Sequence, residues 1–275
     1  IEIQSEGDSD RSQPLYEVEA ETPGLFTKRL EQALLQNTID LAVHSLKDLP
    51  TLPADGLQVS AVLKREVSSD CLIISEKAFA KTEIPLQPGV MVGSSSLRRE
   101  AQLKAARPDL RVVPIRGNVP TRVRIVEEGK CDAVVLAKAG VRRLGLSFDK
   151  IHCVDLDETQ FVPAPGQGAI AVETRVGLPE ELNAALKTFH CAETDTETRI
   201  ERKVLRELHG GCTLPLGVRC AIDGNLLKLK AFLGVSKDRN ENKHVWLSFE
   251  RFDISHTDEN TLVAETVTYL KGKLA

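Results

Sequence analysis

The thiol of Cys212 stands in a setting that suits covalent chemistry. This cysteine follows two glycines in the segment LRELHGGCTLP, at Leu205–Pro215, directly after a strongly helical stretch. Glycine lets the backbone take left-handed or strained angles, and it offers no side chain against which a thiol could pack. A thiol on such a turn favours covalent chemistry over core packing, although a buried structural cysteine is the alternative interpretation.

A carboxylate that could serve such a thiol lies in the segment HSLKDLP, at His44–Pro50. Asp48 follows the end of a predicted buried strand and stands beside Lys47. One interpretation is a plain turn, since Asp before Leu-Pro commonly begins a loop. The other is a carboxylate at the mouth of a cleft, where it could stabilise a developing cation or move protons. We interpret His44 as a packed histidine at the strand end.

An anion site is predicted at GSSSLRR, Gly93–Arg99, where a strand gives way to a helix. Hydroxyls and free backbone N–H groups at a helix N-terminus bind anions, and the helix dipole adds to the attraction. Each arginine offers a planar fork that matches a carboxylate or a phosphate. The alternative is a capped helix with a solvated basic face. The anion site is favoured because the pattern recurs at RGNVPTR and near Arg142 and Arg143.

The charge distribution also indicates a polyanionic ligand. The chain has a net charge of −4, yet the window Val90–Gly145 holds twelve Lys or Arg and five Asp or Glu, a net charge of +7. A basic middle in an acidic protein is typical of anion binding. Nucleic acid is disfavoured as the ligand because this window has no Phe, Tyr or Trp on which bases could stack.

Composition narrows the class of protein. The 275 residues are enough for two or three domains, and 41% hydrophobic with 28% charged residues is ordinary for a globular protein. No apolar run approaches a membrane span, and no secretory signal is visible. The six cysteines form no C-x-x-C pair and the six histidines are scattered, so we expect no metal site and no disulfide framework. A reducing compartment, the cytoplasm, follows from this cysteine usage.

Hydrophobic periodicity predicts a helix over Leu25–Gln36 and a buried strand at Ile39–Val43. Two more strands are predicted at Leu57–Leu63 and Cys71–Ser75. The middle of the chain then repeats a strand, a loop and a helix three times, which predicts a parallel sheet. The predicted strands are Val90–Val92, Leu110–Ile115 and Cys131–Ala137, and their helices begin near Leu97, near Pro120 and at Val141.

In a parallel sheet, ligands bind beyond the carboxyl ends of the strands. The polar and basic side chains of the three repeats follow their strands, so we expect them to meet at that edge. They are Ser94, Ser95, Ser96, Arg98, Arg99, Arg116, Arg122 and Arg143.

The sequence changes character after Phe161. The segment PAPGQGAIAVETR predicts a Pro/Gly-rich crossing and a short strand, and PGQGA lacks the ending of a nucleotide P-loop. A charged helix is predicted over Thr194–Leu208, and a hairpin with an Asp-Gly turn over Val218–Phe232. A third strand at His244–Phe252 and a helix near Glu259–Lys271 complete a small α+β domain. Boundaries are expected near residues 64–70, 160–168 and 188–193.

Several long motifs together resemble the porphobilinogen deaminase family, also called hydroxymethylbilane synthases. They occur in the family's order from about Gly24 to the C-terminus. The matching segments are LFTKRLEQALL, DLAVHSLKDLP, VGSSSLRREAQL, IRGNVPTR, DAVVLAKAGVRRLG, PGQGAIAVE and GGCTLP.

The resemblance implies an α/β fold of three domains. Two of them resemble the domains of a type II periplasmic binding protein, with mixed sheets and a cleft between them, and the third is a small α+β domain. Carried onto this sequence, domain 1 comprises residues 1–65 and 168–188, domain 2 residues 66–167, and domain 3 residues 189–275. The first residues, IEIQSEGDSD, resemble the family's second strand, so domain 1 is expected to lack the family's N-terminal strand and helix.

The resemblance also implies a transferase of tetrapyrrole and heme biosynthesis. Such an enzyme joins four porphobilinogen units head to tail on a dipyrromethane cofactor, releases one ammonia per unit and hydrolyses off hydroxymethylbilane. The cofactor would be held by a thioether to Cys212, and Asp48 would be the catalytic carboxylate. The remaining cofactor-binding residues implied are Ser45, Lys47, Ser94, Ser95, Ser96, Arg98, Arg99, Arg116 and Arg122. Those implied for the substrate are Arg116, Arg122, Arg143 and Gln167.

The reaction implied by the resemblance is physically consistent with these residues. Loss of ammonia from the aminomethylpyrrole leaves a cationic azafulvene, which a fixed carboxylate stabilises. A monomer with no metal, nucleic acid or membrane partner is expected. Two alternatives stay open, namely a non-catalytic carboxylate-binding module of periplasmic-binding-protein fold and an inactive truncated form of the enzyme. The chain departs from the family pattern at Pro23, where a lysine is usual, and at His209, where an acid is usual.

Overall fold

A computed structural model describes residues 27–209, 214–240 and 243–274 of the chain. Cys212 and the expected features of the first 26 residues lie outside this part, so those predictions remain predictions. The described strands form three sheets. In chain order the strands are β1 (Leu41–Ser45), β2 (Leu57–Val62), β3 (Asp70–Ser75), β4 (Met91–Gly93), β5 (Arg111–Val113), β6 (Ala133–Ala137), β7 (Ile151–Asp155), β8 (Ile170–Arg175), β9 (Leu216–Asp223), β10 (Leu226–Asn240) and β11 (Lys243–His256).

Helices cover these sheets. Short 3-10 turns also occur at Leu46–Asp48 and Glu76–Ala78. In chain order the described α-helices are α1 (Lys28–Leu35), α2 (Leu97–Ala106), α3 (Val119–Glu127), α4 (Lys138–Arg143), α5 (Glu180–Phe189), α6 (Ala192–Glu207) and α7 (Glu259–Leu274).

The first sheet has the order β1-β8-β2, and both pairings are antiparallel. The prediction of a buried strand at Ile39–Val43 is wrong in two respects: β1 begins at Leu41, and it alternates exposed and buried side chains, as a strand with one covered face does. On its covered side Leu34 and Ala42 pack with Leu57. The strand ends at Ser45, so its last residue delivers the chain directly into the turn that holds Lys47 and Asp48.

The second sheet has the order β5-β4-β6-β3-β7. Strand β4 is parallel to β5 and to β6, which confirms the parallel arrangement predicted for the three repeats. Strand β3 is antiparallel to both β6 and β7, so the whole sheet is mixed. Strand β3 is buried almost throughout because helices or loops cover both faces, and an unbroken apolar run suits that position.

The third sheet, β11-β10-β9, is antiparallel and carries α6 and α7 on one face. Its core joins Ile200 and Val204 of α6 to Leu229 of β10 and Leu262 of α7. The predicted hairpin, third strand and terminal helix are therefore confirmed. The expectation of an α/β chain with mixed sheets and a smaller C-terminal α+β part is confirmed as well.

Three further local features differ from the sequence-based expectation. Helix α4 begins at Lys138 rather than Val141, because the predicted Lys-Ala-Gly loop is already helical. Strand β7 and helix α5 were not predicted at all. Strand β7 is half-buried along most of its length, so it lacks the alternation that identifies a strand in sequence.

The two crossings between the first and second sheets meet at Gly168. Its φ of +89° is left-handed, and a Cβ added there would lie 2.5 Å from the carbonyl oxygen of Glu66 and 2.9 Å from that of Val67. The backbone N–H of Glu66 donates to the carbonyl of Gly168 at 3.1 Å. Glycine is required here both for the backbone angle and for the close approach.

We expect Gly168→Ala to destabilise the fold more than Gly177→Ala does. Gly177 has a similar φ of +81° but no heavy atom within 4 Å of an added Cβ, so it isolates the cost of the angle, about 1–2 kcal/mol. The clash with two carbonyl oxygens should add about 1–3 kcal/mol at Gly168. Urea unfolding of both variants measures the difference in the free energy of unfolding. Equal destabilisation would contradict the prediction, because it would show that the two crossings can move apart at no cost.

Candidate active site

A cavity of about 420 Å³ lies where the ends of β1, β4 and β6 approach the crossing before β8. Its walls include residues that precede or begin α2, α3 and α4, together with Leu205 of α6 and Leu214. The parallel strands therefore end at the cavity, as expected for a ligand site of an α/β sheet.

The cavity collects most of the side chains that the sequence singled out. Ser94 and Arg116 are not among its lining residues, and Cys212 lies outside the described residues. Leu214, which follows that cysteine closely in sequence, does line the wall. The predicted residues brought together are Ser45, Lys47, Asp48, Ser95, Ser96, Arg98, Arg99, Arg122, Arg143 and Gln167.

Asp48 is placed by a tight turn after β1. Leu46 is buried under the turn, and its N–H donates to the carbonyl of Ala169 at 3.0 Å. Gly166 approaches from the crossing, where a Cβ would lie 3.2 Å from Leu46 and 3.4 Å from the Lys47 nitrogen. These contacts fix the backbone while leaving the carboxylate of Asp48 exposed in the cavity wall.

Lys47 lies beside that carboxylate and is half-buried. Burial lowers the pKa of its ammonium group, and the nearby charges of Arg99 and Arg98 lower it further, while Asp48 and Asp70 oppose the shift. An ammonium group that has lost water and faces other cations gains from a bound anion.

Arg98 and Arg99 are not solvated, because only 4% and 5% of their surfaces are exposed. Both bind Asp70, the first residue of β3. Arg98 Nη1 donates to Asp70 Oδ2 at 2.7 Å, and Arg99 donates to Oδ1 from Nη2 at 2.7 Å and from Nε at 3.1 Å. The alternative of a solvated basic face is wrong, and an internal carboxylate holds both forks.

Further hydrogen bonds complete this buried cluster. Gln167 is fully buried and donates to Asp70 Oδ1 at 3.0 Å and to the carbonyl of Ser68 at 2.6 Å. Arg98 also donates to the carbonyl of Val162, and Arg99 to that of Val135. Burial alone would raise the pKa of Asp70, but the charges and hydrogen bonds of the two arginines hold it well below its usual range.

Sequence reasoning did not single out Asp70. One signal was available, because Asp70 leads directly into the apolar run Cys71–Ile74. A carboxylate at the start of a fully buried strand requires a partner of opposite charge. The dipole of α2 disfavours arginines in its first turn, and Asp70 compensates for that cost.

The starts of α2 and α3 present their polar groups in different ways. Ser95 is buried, and its hydroxyl both donates to the carbonyl of Ile115 and accepts from the Ile115 N–H at 3.0 Å. Asn118 caps α3 by accepting from the Thr121 N–H at 3.0 Å, and Pro120 stands in the first turn as predicted. Ser95 thus ties two loops together, while Ser96 and Asn118 line the cavity.

Arg122 faces the cavity from α3. Burial lowers its pKa to about 10, and the positive charges of Arg99 and Arg116 contribute to the decrease, whereas Asp48 opposes it. Its Nε donates to the carbonyl of Gly117 at 2.8 Å. Arg143 of α4 is more exposed and donates to the carbonyl of Gly168 at 2.7 Å. The lining residues of the described part therefore include five Lys or Arg side chains and one acid, Asp48.

A second buried carboxylate, Glu201 of α6, joins the third sheet to the crossings. It is fully buried and accepts from Arg65 at 2.7 and 3.0 Å and from the Gly166 N–H at 2.7 Å. It also accepts from the N–H of Cys220 at 2.9 Å. Glu201 was not predicted from the sequence either. The signal available was its position on the same apolar helix face as Ile200 and Val204, which indicates burial.

The described residues show neither a membrane-spanning helix nor a metal-binding cluster. No helix in this part of the chain is both long and apolar enough to cross a membrane. No group of three or more His, Cys, Asp or Glu side chains with metal-binding geometry occurs among residues 27–209, 214–240 and 243–274.

We expect Asp70→Asn to destabilise the protein by about 3–5 kcal/mol, because it leaves two buried guanidinium groups without a counter-charge. Since the pKa of Asp70 is lowered in the folded state, the difference from the parent protein should be full above the unfolded pKa near about 4 and shrink below it. Urea unfolding at several pH values measures this. Asp109→Asn, which breaks an exposed pair with Arg107, is the control and should change stability far less.

Comparison with known proteins identifies relatives along the chain. The family profile described as "Porphobilinogen deaminase, dipyromethane cofactor binding domain" matches residues 1–182, and "Porphobilinogen deaminase, C-terminal domain" matches residues 196–247. The porphobilinogen deaminase of Chloroherpeton thalassium is 42% identical over 232 residues, covering 84% of this chain and 71% of the relative. That of Carboxydothermus hydrogenoformans is 48% identical over 209 residues, covering 75% and 65%.

Among solved structures, the periplasmic VFT2 domain of Bordetella pertussis BvgS matches 62% of this chain and 70% of its own at 20% identity, with a TM-score of 0.38. The sequence matches are much closer than this one. Because both profiles come from one family and the relatives share 42% and 48% identity with it, this chain belongs to the porphobilinogen deaminase family.

Proposed function

We propose that this chain joins four porphobilinogen units head to tail on a covalently held dipyrromethane, releases one ammonia per unit and hydrolyses off hydroxymethylbilane. It is thus a transferase of tetrapyrrole biosynthesis. The observation that carries the proposal is the charge of the cavity, in which five cationic side chains surround one exposed carboxylate, Asp48. That arrangement suits substrates with carboxylate arms and a reaction that develops positive charge.

The residues present fit the dipyrromethane cofactor that the family profile names. Its acetate and propionate arms are carboxylates. Burial lowers the pKa values of Lys47 and Arg122, and a carboxylate bound beside them would stabilise both cations. We propose that the arms are held by the predicted set Ser45, Lys47, Ser94, Ser95, Ser96, Arg98, Arg99, Arg116 and Arg122. When bound, the cofactor would supply the pyrrole carbon onto which the first unit is joined, and each later unit would be joined to the unit before it.

Asp48 is the proposed catalytic carboxylate. Departure of ammonia from porphobilinogen leaves positive charge on the pyrrole, and a carboxylate fixed beside it lowers the energy of that state. Asp48 is suited to this because its turn is rigidly held while its side chain stays exposed in the cavity. The buried Asp70 is unsuited, since both its oxygens are bound by arginines.

The substrate carboxylates are proposed to bind Arg116, Arg122 and Arg143, whereas Gln167, the fourth residue predicted for the substrate, is proposed to act indirectly. Of these, Arg122 and Arg143 line the cavity with several N–H groups left for a ligand. The side-chain amide of Gln167 already donates to Asp70 and Ser68, so its contribution is to hold the crossing against the arginine pair. Several forks are needed rather than one, because each added pyrrole brings two carboxylates.

Three further properties are part of the proposal. Domains are assigned as residues 1–65 with 168–188, 66–167 and 189–275, in agreement with the separate sheets formed by β1-β8-β2, β5-β4-β6-β3-β7 and β11-β10-β9. A cytoplasmic location is supported by five free thiols among the described cysteines. A monomer is proposed because one chain supplies the carboxylate, the cations and the cysteine.

We expect Asp48→Asn to lower turnover at least about 100-fold, because it removes the one charge that stabilises the developing cation. Its unfolding midpoint should stay close to that of the parent protein, since Asp48 is exposed. Ammonia release and hydroxymethylbilane formation from porphobilinogen measure the rate. Asp55→Asn, an exposed change outside the cavity, is the matched control, and a rate within about twofold in Asp48→Asn would refute the assigned role.

The anchor is tested by mass. The purified protein should be heavier than its sequence by two pyrrole units, with the addition on the peptide that contains Cys212. Cys212→Ser should have the mass of its sequence, whereas Cys191→Ser, at the start of α6, should keep the addition. An unmodified parent protein after incubation with porphobilinogen would favour the carboxylate-binding module or the inactive form, and an addition that survives in Cys212→Ser would assign the anchor elsewhere.

A further inference from the structure

Arg202 of α6 donates hydrogen bonds to the turn that carries Asp48. Its Nη1 donates to the carbonyl of Leu46 at 2.9 Å and to that of Leu49 at 2.9 Å, and its Nη2 donates to the carbonyl of Pro50 at 2.6 Å. The three carbonyl oxygens bracket Lys47 and Asp48 from both sides. One side chain, about 150 residues away in sequence, thus holds the backbone of the whole turn.

The backbone of this turn requires hydrogen bonds from residues outside the turn. Its internal hydrogen bond, from the Leu49 N–H to the carbonyl of Leu46, is long at 3.3 Å. Within the described residues no hydrogen bond fixes the Asp48 side chain, so the place of its carboxylate follows from the turn's backbone. Pro50 lacks an N–H and cannot continue a hydrogen-bonded turn. The hydrogen bonds from Arg202 therefore hold the backbone of this turn, as the hydrogen bonds to a neighbouring strand hold β1.

The charge of Arg202 is not used in an ion pair within the part of the chain that the structure describes. Burial lowers its pKa to about 10, and no nearby acid counteracts that effect. Arg202 is half-buried, and the groups that its guanidinium binds are the three carbonyl oxygens of the turn. A planar guanidinium has five N–H donors in a fixed fork, and lysine has only a compact ammonium group, so arginine is the side chain that can join three carbonyls at once.

The same helix leads to the cysteine. Helix α6 runs from Ala192 to Glu207, and Leu205, one turn beyond Arg202, lines the cavity. Glu201, the neighbour of Arg202, binds Gly166, which lies close to Leu46 and the Lys47 nitrogen. Arg202 therefore contacts the turn directly, and Glu201 holds a residue that lies against it.

We propose that Arg202 is a positioning residue that keeps the Asp48 carboxylate at a fixed place relative to helix α6 through successive additions. This inference rests on the proposed role of Asp48. It predicts that the turn and the helix stay together while the bound chain lengthens, so that the lengthening chain moves past the carboxylate and not with it.

Arg202→Ala and Arg202→Lys test the inference in the full chain with its cofactor. We expect Arg202→Ala to lower kcat about 10- to 100-fold, because displacement of a catalytic group by about 1 Å has effects of that size. KM should change less than about threefold, since the cationic side chains of the cavity are unchanged. The kcat of Arg202→Lys should lie between those of Arg202→Ala and the parent protein. Arg199→Ala, one turn earlier on α6 and paired with Glu259, is the control and should leave kcat unchanged.

A double-mutant cycle with Asp48→Asn separates positioning from a general structural role. If Arg202 acts through Asp48, Arg202→Ala should lower the residual rate of Asp48→Asn by less than about twofold. Equal losses in both backgrounds, or a kcat within twofold in Arg202→Ala and Arg202→Lys, would overturn the inference. High activity in Asp48→Asn alone would instead refute the proposed function. If Arg202→Ala does not fold, the same cycle is run with Arg202→Lys.

Discussion

The sharing of Asp70 by two adjacent arginines is the interaction on which the rest of the structure depends. Arg98 and Arg99 are almost fully buried, and two guanidinium groups could not remain there without a counter-charge. Asp70 supplies one negative charge for two positive ones, so the pair satisfies the fold and still leaves the cavity positive. The same contact joins β3 to α2, and through Gln167 it joins both to the crossing that leads back to the first sheet. Folding and ligand binding thus use one set of charges.

The acidic side chains near the cavity have two distinct environments, and the contrast favours the carboxylate proposed for the reaction. Asp70 and Glu201 are fully buried, and each has its oxygens occupied by arginine or backbone donors. Asp48 is exposed to the cavity, and its place is set by its backbone. A buried, paired carboxylate cannot respond to new charge, because its hydrogen bonds are already made. An exposed carboxylate on a well-held turn can, which supports the role proposed for Asp48.

Sequence predicts well the parts of this site that are local. Segments Gly93–Arg99 and His44–Pro50 combine a strand end with a turn, and their elements form close to where periodicity placed them. Contacts between distant segments were out of reach, because Asp70 meets Arg98 across 28 residues and Leu46 meets Arg202 across 156. The positions of Asp70 and Glu201 within apolar patterns did indicate that these carboxylates have partners of opposite charge. They did not identify those partners, since several arginines could have served. The whole of Cys212's setting stays a prediction.

Three arginines around the cavity have lowered pKa values for the same first reason, burial, yet their surroundings differ. Arg98 has the carboxylate of Asp70, and Arg202 has three carbonyl oxygens, so both are held by groups that belong to the fold. Arg122 donates to the carbonyl of Gly117 and lies near the cations Arg99 and Arg116, with the exposed Asp48 as its opposing charge. A carboxylate that enters the cavity therefore relieves more repulsion at Arg122 than at the other two. The fold itself therefore provides partners for the charges of Arg98 and Arg202, whereas the charge of Arg122 faces the cavity.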